Sequence, residues 1–280
     1  MLSLLIEKVS KSFNSKQNSV QTLDNINLEF NKGEFICVLG PSGCGKSTLL
    51  NIIAGLEDAT EGRVILNGHE VKGAGPDRVV MFQESALFPW LKVIDNVEFG
   101  MKMAGVPKDE RHEKALKYLK MVHLSRFQNS YIHELSGGMK QRVALARALT
   151  LDSEILLMDE PFAALDSQTK GILQAELQQI WLETQKTIIF ITHSVEEAVL
   201  LADRVIVMAA NPGKVKKEFK IQLARPREPE NVDLAYLAAG IMKELKEEVE
   251  KVAKAEFDND WTVKKDSLLS DTDSNMGIGL

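Results

Sequence analysis

The stretch Gly40-Pro-Ser-Gly-Cys-Gly-Lys-Ser-Thr48 constrains this chain more than any other. It follows the apolar run Phe35-Ile-Cys-Val-Leu39 and leads into Leu49-Leu-Asn-Ile-Ile-Ala54, so it reads as strand, glycine-rich loop and helix. The spacing G-x-x-x-x-G-K-S is that of a phosphate-binding loop. Its glycines let the backbone wrap a polyphosphate, and successive N–H groups point inward at the oxygens. The helix that starts here adds its positive end to the same site. Gly40, Pro41, Ser42, Gly43, Cys44 and Gly45 then form the cradle, and Lys46 is the point charge for the β- and γ-phosphates. The Ser47 hydroxyl is the expected Mg²⁺ ligand, and Thr48 lies near the α- and β-phosphates.

Such a loop needs a second strand to complete its metal site, and Ile155-Leu-Leu-Met158 supplies one: a continuous apolar run, as expected for a parallel strand buried on both faces. It ends in Asp159, placed to hold Mg²⁺ through water, and Glu160, placed to polarise an attacking water. A third apolar run, Thr187-Ile-Ile-Phe-Ile-Thr192, ends in His193. In an open parallel sheet, ligands bind at the carboxyl ends of the strands, so His193 is expected to reach the γ-phosphate or the attacking water. Val79-Val-Met-Phe82 ends in Gln83, a neutral amide able to coordinate Mg²⁺ or hold a water while staying movable. Alone, it would be only a loop residue. Phe13 lies between the alternating segments Leu5–Val9 and Ile26–Phe30, which suggest a small antiparallel layer. Its ring either stacks on an adenine base or packs at a sheet edge. Gly62–Gly68 reads as a strand running into an Asn67-Gly68 hairpin turn.

From Asp95 to Leu124 the pattern is helical, with Ala115, Leu116, Leu119 and Val122 on one apolar face. Before it, Leu87-Phe-Pro-Trp90 is either a local mini-core or a partner-binding patch. After it comes Leu135-Ser-Gly-Gly-Met-Lys-Gln141, opening another helix. Ser136 suits its N-cap, while Gly137 and Gly138 let a backbone or a phosphate approach its positive end. This second anion site has no obvious route to the nucleotide at Lys46 within one chain, which invites a partner subunit. Ala163-Ala-Leu-Asp166 begins a long helix, and Ser194–Ala202 is a shorter one. Val205–Met208 is a strand turning at Asn211-Pro-Gly213 into Val215–Ile221, and Ala224–Pro229 reads as a linker. Ile241, Leu245, Val249 and Val252 then mark an amphipathic helix, and the Asp/Ser/Asn-rich stretch 258–280 a poorly ordered tail.

The net charge of -6 over 280 residues argues against a nucleic-acid surface built on bulk positive charge. No apolar run approaches the roughly 18 residues needed to cross a bilayer, and the N-terminal stretch lacks the features of a signal peptide, so a cytoplasmic location is expected. Cys37 and Cys44 are not expected to form a structural disulfide.

The ordered set (Gly40 to Thr48, Gln83, Leu135 to Gln141, Ile155 to Glu160, Ala164 to Asp166, His193) resembles the nucleotide-binding subunit of ATP-binding-cassette (ABC) transporters over roughly residues 3–225. The Leu135–Gln141 signature is far more specific than the phosphate loop. The resemblance implies an α/β P-loop NTPase with a mixed, mostly parallel sheet core, an N-terminal antiparallel β subdomain and an inserted helical subdomain at about 90–150. The cassette would span 1–225, with a helical extension at 226–257 and a flexible tail at 258–280. It also implies a head-to-tail homodimer binding two ATP molecules with Mg²⁺. Each ATP would be held by Phe13, Lys46, Ser47 and the phosphate loop of one chain and by Ser136, Gly137, Gly138 and Gln141 of the other, with Asp166 contacting across the dimer. Glu160, His193, Gln83 and Lys46 would be catalytic, and Ser47, Gln83 and Asp159 would serve the metal. Phe13 stands where many relatives carry tyrosine. Val80–Trp90, Ile191–Met208 and Asn211–Gly213 look like the importer branch for nitrate, sulfonates, taurine and similar small anions. That branch implies permease subunits at Leu87, Phe88, Pro89 and Trp90, a periplasmic or extracellular solute-binding protein, a place at the cytoplasmic face of the membrane, and no nucleic acid. The rival is a soluble ABC-type ATPase of translation or DNA repair. Those proteins usually carry two cassettes, a long coiled-coil insertion or zinc-binding cysteine pairs, none of which this sequence has.

Overall fold

Strands β3 (Phe35–Leu39) and β8 (Thr187–Ile191) are buried at every residue, and β7 (Ile155–Asp159) at all but its last. Such runs are stable only with both faces covered, the arrangement of a parallel sheet between layers. A computed structural model of the chain, describing residues 2–14 and 19–256, places them at the centre of a six-stranded sheet. With β6 (Arg78–Met81), β9 (Arg204–Ala209) and β10 (Lys214–Lys220) the order is β10-β9-β3-β8-β7-β6, all parallel except β10. Ile191 lies level with Val38 on one side and with Asp159 on the other. The phosphate loop, His193 and Glu160 therefore leave the sheet along one edge. The expected tail, 258–280, lies outside the described residues.

A second sheet, antiparallel, has the order β2-β1-β4-β5, from β1 (Leu2–Asn14), β2 (Ser19–Asn31), β4 (Glu61–Leu66) and β5 (His69–Glu70). The short alternating segments expected here are parts of two long strands. Register shifts between Ile6 and Val9 and again before Lys11, with Lys8 at φ +50°, break the two-residue alternation. Asn67 and Gly68 both take positive φ, as expected of the tight hairpin turn. Helix α1 (Lys46–Ala54) is packed between the sheets: Leu49, Leu50, Ile52 and Ile53 meet Leu4, Ile6, Leu28 and Phe30 on one side and Ile36, Val38, Ile189 and Ile206 on the other.

Between β6 and β7 the chain forms α2 (Val93–Met103), α3 (Lys108–Met121) and α4 (Gly137–Thr150). The single helical stretch expected from Asp95 to Leu124 is two helices, divided at Gly105, which has φ +78°, and Pro107. Ala115, Leu119 and Val122 are buried as the spacing predicts, with Leu116 partly covered. Helix α6 (Val195–Leu201) packs on β3, and α5 (Ser167–Thr184) packs against α4 and α6.

The segment 224–229 is not a free connection. Arg225 pairs with Asp203, donates to the Leu201 carbonyl, and lies 4.0 Å from the Trp181 ring centre. Arg227 is 4% exposed and donates to the carbonyls of Val199 (3.0 Å) and Ala202 (2.6 Å) at the end of α6. Burial, with Arg225 alongside, pushes its guanidinium down to about 10, which leaves it charged at neutral pH. Helix α7 (Val232–Glu256) then returns to the core, where Leu234, Ile241 and Leu245 join the cluster of Phe35, Val199 and Val205. Beyond Leu245 its expected apolar stripe fades: Val249 is 45% exposed, and the buried residue is Glu248, 3.1 Å from Lys216 of β10. There the helix meets the lysines of β10 instead of the sheet core, and ion pairs with Glu244 and Glu247 take over.

Candidate active site

At the carboxyl edge of the sheet lies a cleft of 520 Å³, within the usual range of ligand pockets. Gly40, Ser42, Gly43, Gly45, Lys46, Ser47 and Thr48 line its floor, and Glu160 and His193 one wall. Phe13 and Thr22 close the other side. Phe13 is 44% exposed, so the sheet-edge core position is not the one it takes; Lys11 sits 4.9 Å from its ring centre. Pro41 and Cys44, expected in the cradle, are buried and do not line the cleft. The Cys44 side chain belongs to the core between the sheets, and burial raises its thiol pKa against the opposing pull of Lys46. Cys37 and Cys44 are both free.

The loop is braced from behind. A Cβ on Gly213 would lie 2.2 Å from the Cys44 carbonyl oxygen, so only glycine allows this approach. Gly213 donates to the Thr22 carbonyl and accepts from the Asp24 amide, each at 2.9 Å. The turn at Asn211–Gly213 thus ties the phosphate loop to β2 and sets Thr22 against the cleft. Thr22 escapes sequence reasoning because it lies far upstream of the loop and carries no motif.

The Lys46 ammonium is buried and donates to the Gly40 and Pro41 carbonyls at 2.9 and 3.0 Å, which holds it across the mouth of the loop. Burial raises the Asp159 carboxyl pKa, and the Ser47 hydroxyl, which donates a hydrogen bond to it, partly offsets this. Glu160 follows with φ +43°, a left-handed conformation uncommon outside glycine. Its amide donates to the Ile191 carbonyl at 3.0 Å, and its carboxylate lies 3.3 Å from His193 Nδ1. The His193 ring remains open to the cleft, its side chain 66% exposed. Gln83 is exposed on a bend and does not line the cleft.

The donor set fits Mg²⁺. A hydroxyl and a partly desolvated carboxylate are hard oxygen ligands, and Mg²⁺ completes its shell with phosphate and water, needing no all-protein cage. No cluster of three or more His, Cys, Asp or Glu side chains suited to a metal occurs among the described residues.

The signature segment lies apart from this cleft. Ser136 caps α4, accepting from the Met139 amide at 3.3 Å, and stays exposed with Gly137. Gly138 is turned inward, where a Cβ would lie 2.3 Å from Thr169 Cγ2 of α5. Gln141 is also buried, its amide donating to the Pro161 carbonyl at 2.6 Å. Asp166 caps α5 by accepting from the Thr169 amide at 3.0 Å, which holds its carboxyl below the usual range. In the aromatic loop, Leu87 packs on the core, Phe88 lies 4.3 Å from the Phe99 ring, and Trp90 is 71% exposed. Asn96, fully buried, accepts from the Phe88 amide at 2.8 Å and donates to its carbonyl at 3.1 Å.

A glycine-rich loop opening a helix, with a lysine across its mouth and a hydroxyl–carboxylate pair beside it, defines a P-loop NTPase. The ABC transporter family model matches residues 23–163. An uncharacterised ABC transporter ATP-binding protein of Methanocaldococcus jannaschii is 54% identical over 251 residues, 90% of this chain and 94% of the relative. The taurine import ATP-binding protein of Roseobacter denitrificans is 48% identical over 225 residues, 80% of this chain and 84% of that protein. The nitrate import ATP-binding protein of Synechocystis is 48% identical over 229 residues, 81% and 86% of the two. Among solved structures, the ATP-binding cassette MJ0796, a dimer in a post-hydrolysis state bound to ADP and Pi, matches with TM-score 0.68 at 33% identity, covering 79% of this chain and all of that one. The chain belongs to the ATP-binding subunits of ABC transporters and is an ATPase. No helix among the described residues is long and apolar enough to cross a membrane.

Proposed function

We propose that this chain is the ATP-hydrolysing subunit of an importer for a small anion such as taurine, another sulfonate or nitrate. Two copies work head to tail beneath the permease, at the cytoplasmic face of the membrane. One observation carries the two-copy mechanism. Lys46, Glu160 and His193 share one cleft, while the exposed Ser136–Gly137 turn presents a helix N-terminus elsewhere on the same chain. Amides and a hydroxyl at a positive helix end suit a γ-phosphate presented by a second copy. ATP then bridges the two chains and closes the dimer, and hydrolysis removes the bridge.

Within each cleft the phosphate loop amides and Lys46 neutralise the polyphosphate, and Phe13 stacks on the base. Ser47 and Asp159 would hold Mg²⁺, which when bound offsets charge on the β- and γ-phosphates. Glu160 orients the attacking water and takes its proton, and His193 fixes both the Glu160 carboxylate and the γ-phosphate. Phe88, Pro89 and Trp90 receive a permease helix. Beside them lies a 260 Å³ groove lined by Phe99, Ala148 and Leu151, and Asn96 and Arg147 hold the loop backbone. The taurine- and nitrate-import relatives support the solute class.

The test is Glu160→Gln, studied by size-exclusion chromatography with light scattering. Turnover should fall about 100- to 10,000-fold, the scale of a positioned base. The variant should pass from monomer to dimer only with Mg-ATP. A variant that hydrolyses at the wild-type rate refutes the base, and one that binds ATP yet stays monomeric refutes closure through Ser136.

A further inference from the structure

Gln141 stands in the signature segment, yet its side chain turns away from the surface where a second nucleotide would bind. It is 6% exposed, and its Nε2 donates to the Pro161 carbonyl at 2.6 Å. Pro161 follows Glu160, whose backbone is left-handed at φ +43°. A non-glycine residue holds such a conformation only where its surroundings over-determine it. Three hydrogen bonds do so here. The Glu160 amide donates to the Ile191 carbonyl (3.0 Å), the Glu160 carbonyl accepts from the Ala163 amide (3.2 Å), and the next carbonyl along accepts from Gln141. The first two come from the sheet and the local turn. The third comes from α4, the helix that Ser136 caps.

That helix has little freedom to shift alone. Gly138 touches Thr169 of α5, and Arg142 Nη2 pairs with Glu176 of the same helix at 3.0 Å. We infer that Gln141 is a positioning residue for Glu160, acting through the Pro161 carbonyl, and that it makes the state of the Ser136–Gly138 turn felt at the chain's own base. This rests on Glu160 being that base. The consequence is directional: engagement of the turn that moves α4 also moves the peptide after Glu160, and with it the carboxylate now 3.3 Å from His193.

The experiment compares Gln141→Met, which keeps the shape but has no donor, and Gln141→Glu, each with Glu160 intact and with Glu160→Gln. With Glu160 present, Gln141→Met should lower kcat about tenfold while KM for ATP stays within about twofold; tenfold corresponds to about 1.4 kcal/mol. In the Glu160→Gln protein the same change should add nothing further, the non-additivity of residues acting through one group. For Gln141→Glu, a carboxylate faces a carbonyl oxygen, and protonation restores a donor. Its rate relative to wild type at each pH should therefore recover as the pH is lowered from alkaline to mildly acidic. An equal loss in both Glu160 backgrounds, a change confined to KM, or a flat pH ratio overturns the proposal alone. Wild-type turnover by Glu160→Gln overturns the base assignment and the proposal with it. Should the methionine variant fail to fold, the pH profile of the glutamate variant decides.

Discussion

Gly138→Ala separates two reasons for the second glycine of the signature. Glycine leaves a helix N-terminus open to a phosphate, but here an added Cβ would sit 2.3 Å from Thr169 Cγ2, more than an ångström inside ordinary contact. Either Thr169 leaves its rotamer or α4 and α5 separate, and overpacking of this kind costs about 1–3 kcal/mol. Gly138 is the second residue of α4, outside the helix interior where alanine gains most over glycine, so the net loss stays at about 1–3 kcal/mol. For a domain of this size that lowers Tm by about 2–12 °C. Thr169→Ser removes the offending methyl while leaving the Thr169 backbone amide to Asp166 untouched. The double variant should therefore melt within about 2 °C of wild type and regain ATPase activity, both measured on the same preparation. If the double variant is stable but inactive, packing is not why glycine stands here, and the approach of a ligand is. If Gly138→Ala alone is neutral in both assays, the close contact with Thr169 is refuted.

Asp159→Asn should raise the Tm of the nucleotide-free protein and abolish Mg²⁺-dependent hydrolysis. Burial raises the Asp159 pKa, so in the folded state its charge is a penalty, absent below its ordinary pKa and complete above the raised one; the stabilisation by asparagine should accordingly vanish in acid. Asn96→Ala strands the buried Phe88 amide and carbonyl and should cost about 1–3 kcal/mol in denaturant melts. Trp90→Ala, at an exposed site, should change stability by less than about 0.5 kcal/mol. In the assembled transporter it should retain ATPase activity and lose solute uptake; unchanged uptake refutes the permease contact. Arg227→Met leaves the Val199 and Ala202 carbonyls without their donor and should destabilise by about 3 kcal/mol or more, read from thermal melts.

Strands buried on both faces announce themselves as unbroken apolar runs, so β3, β7 and β8 and the residues at their ends were legible at once. The N-terminal strands were not, because bulges near Lys8 shift the alternation midway and make one strand look like two fragments. Capping by Ser136 and Asp166 was visible for Ser136 in its residue type and position. The inward turn of Gly138 and Gln141 was not, since it depends on Thr169 of α5 and on the Pro161 carbonyl after β7, which follow the signature in the chain and meet it only in three dimensions. Pro, Arg and Glu in 224–229 carry the composition of a linker. What buries the two arginines is a row of free carbonyls at the end of α6, and no composition reveals that.

Helix α6 is only seven residues long and begins immediately after Ser194, next to His193, while Arg227 grips its far end. The segment leading into α7 and the cleft residue His193 thus share the two ends of one short rod. Thermodynamics makes such an arrangement reciprocal. A binder that grips α7 more tightly in one nucleotide state than the other alters nucleotide affinity by the same factor, and nucleotide alters the grip of that binder equally. A fusion or truncation placed at residue 225 would cut this rod's anchor, whereas one placed after α7 leaves it whole.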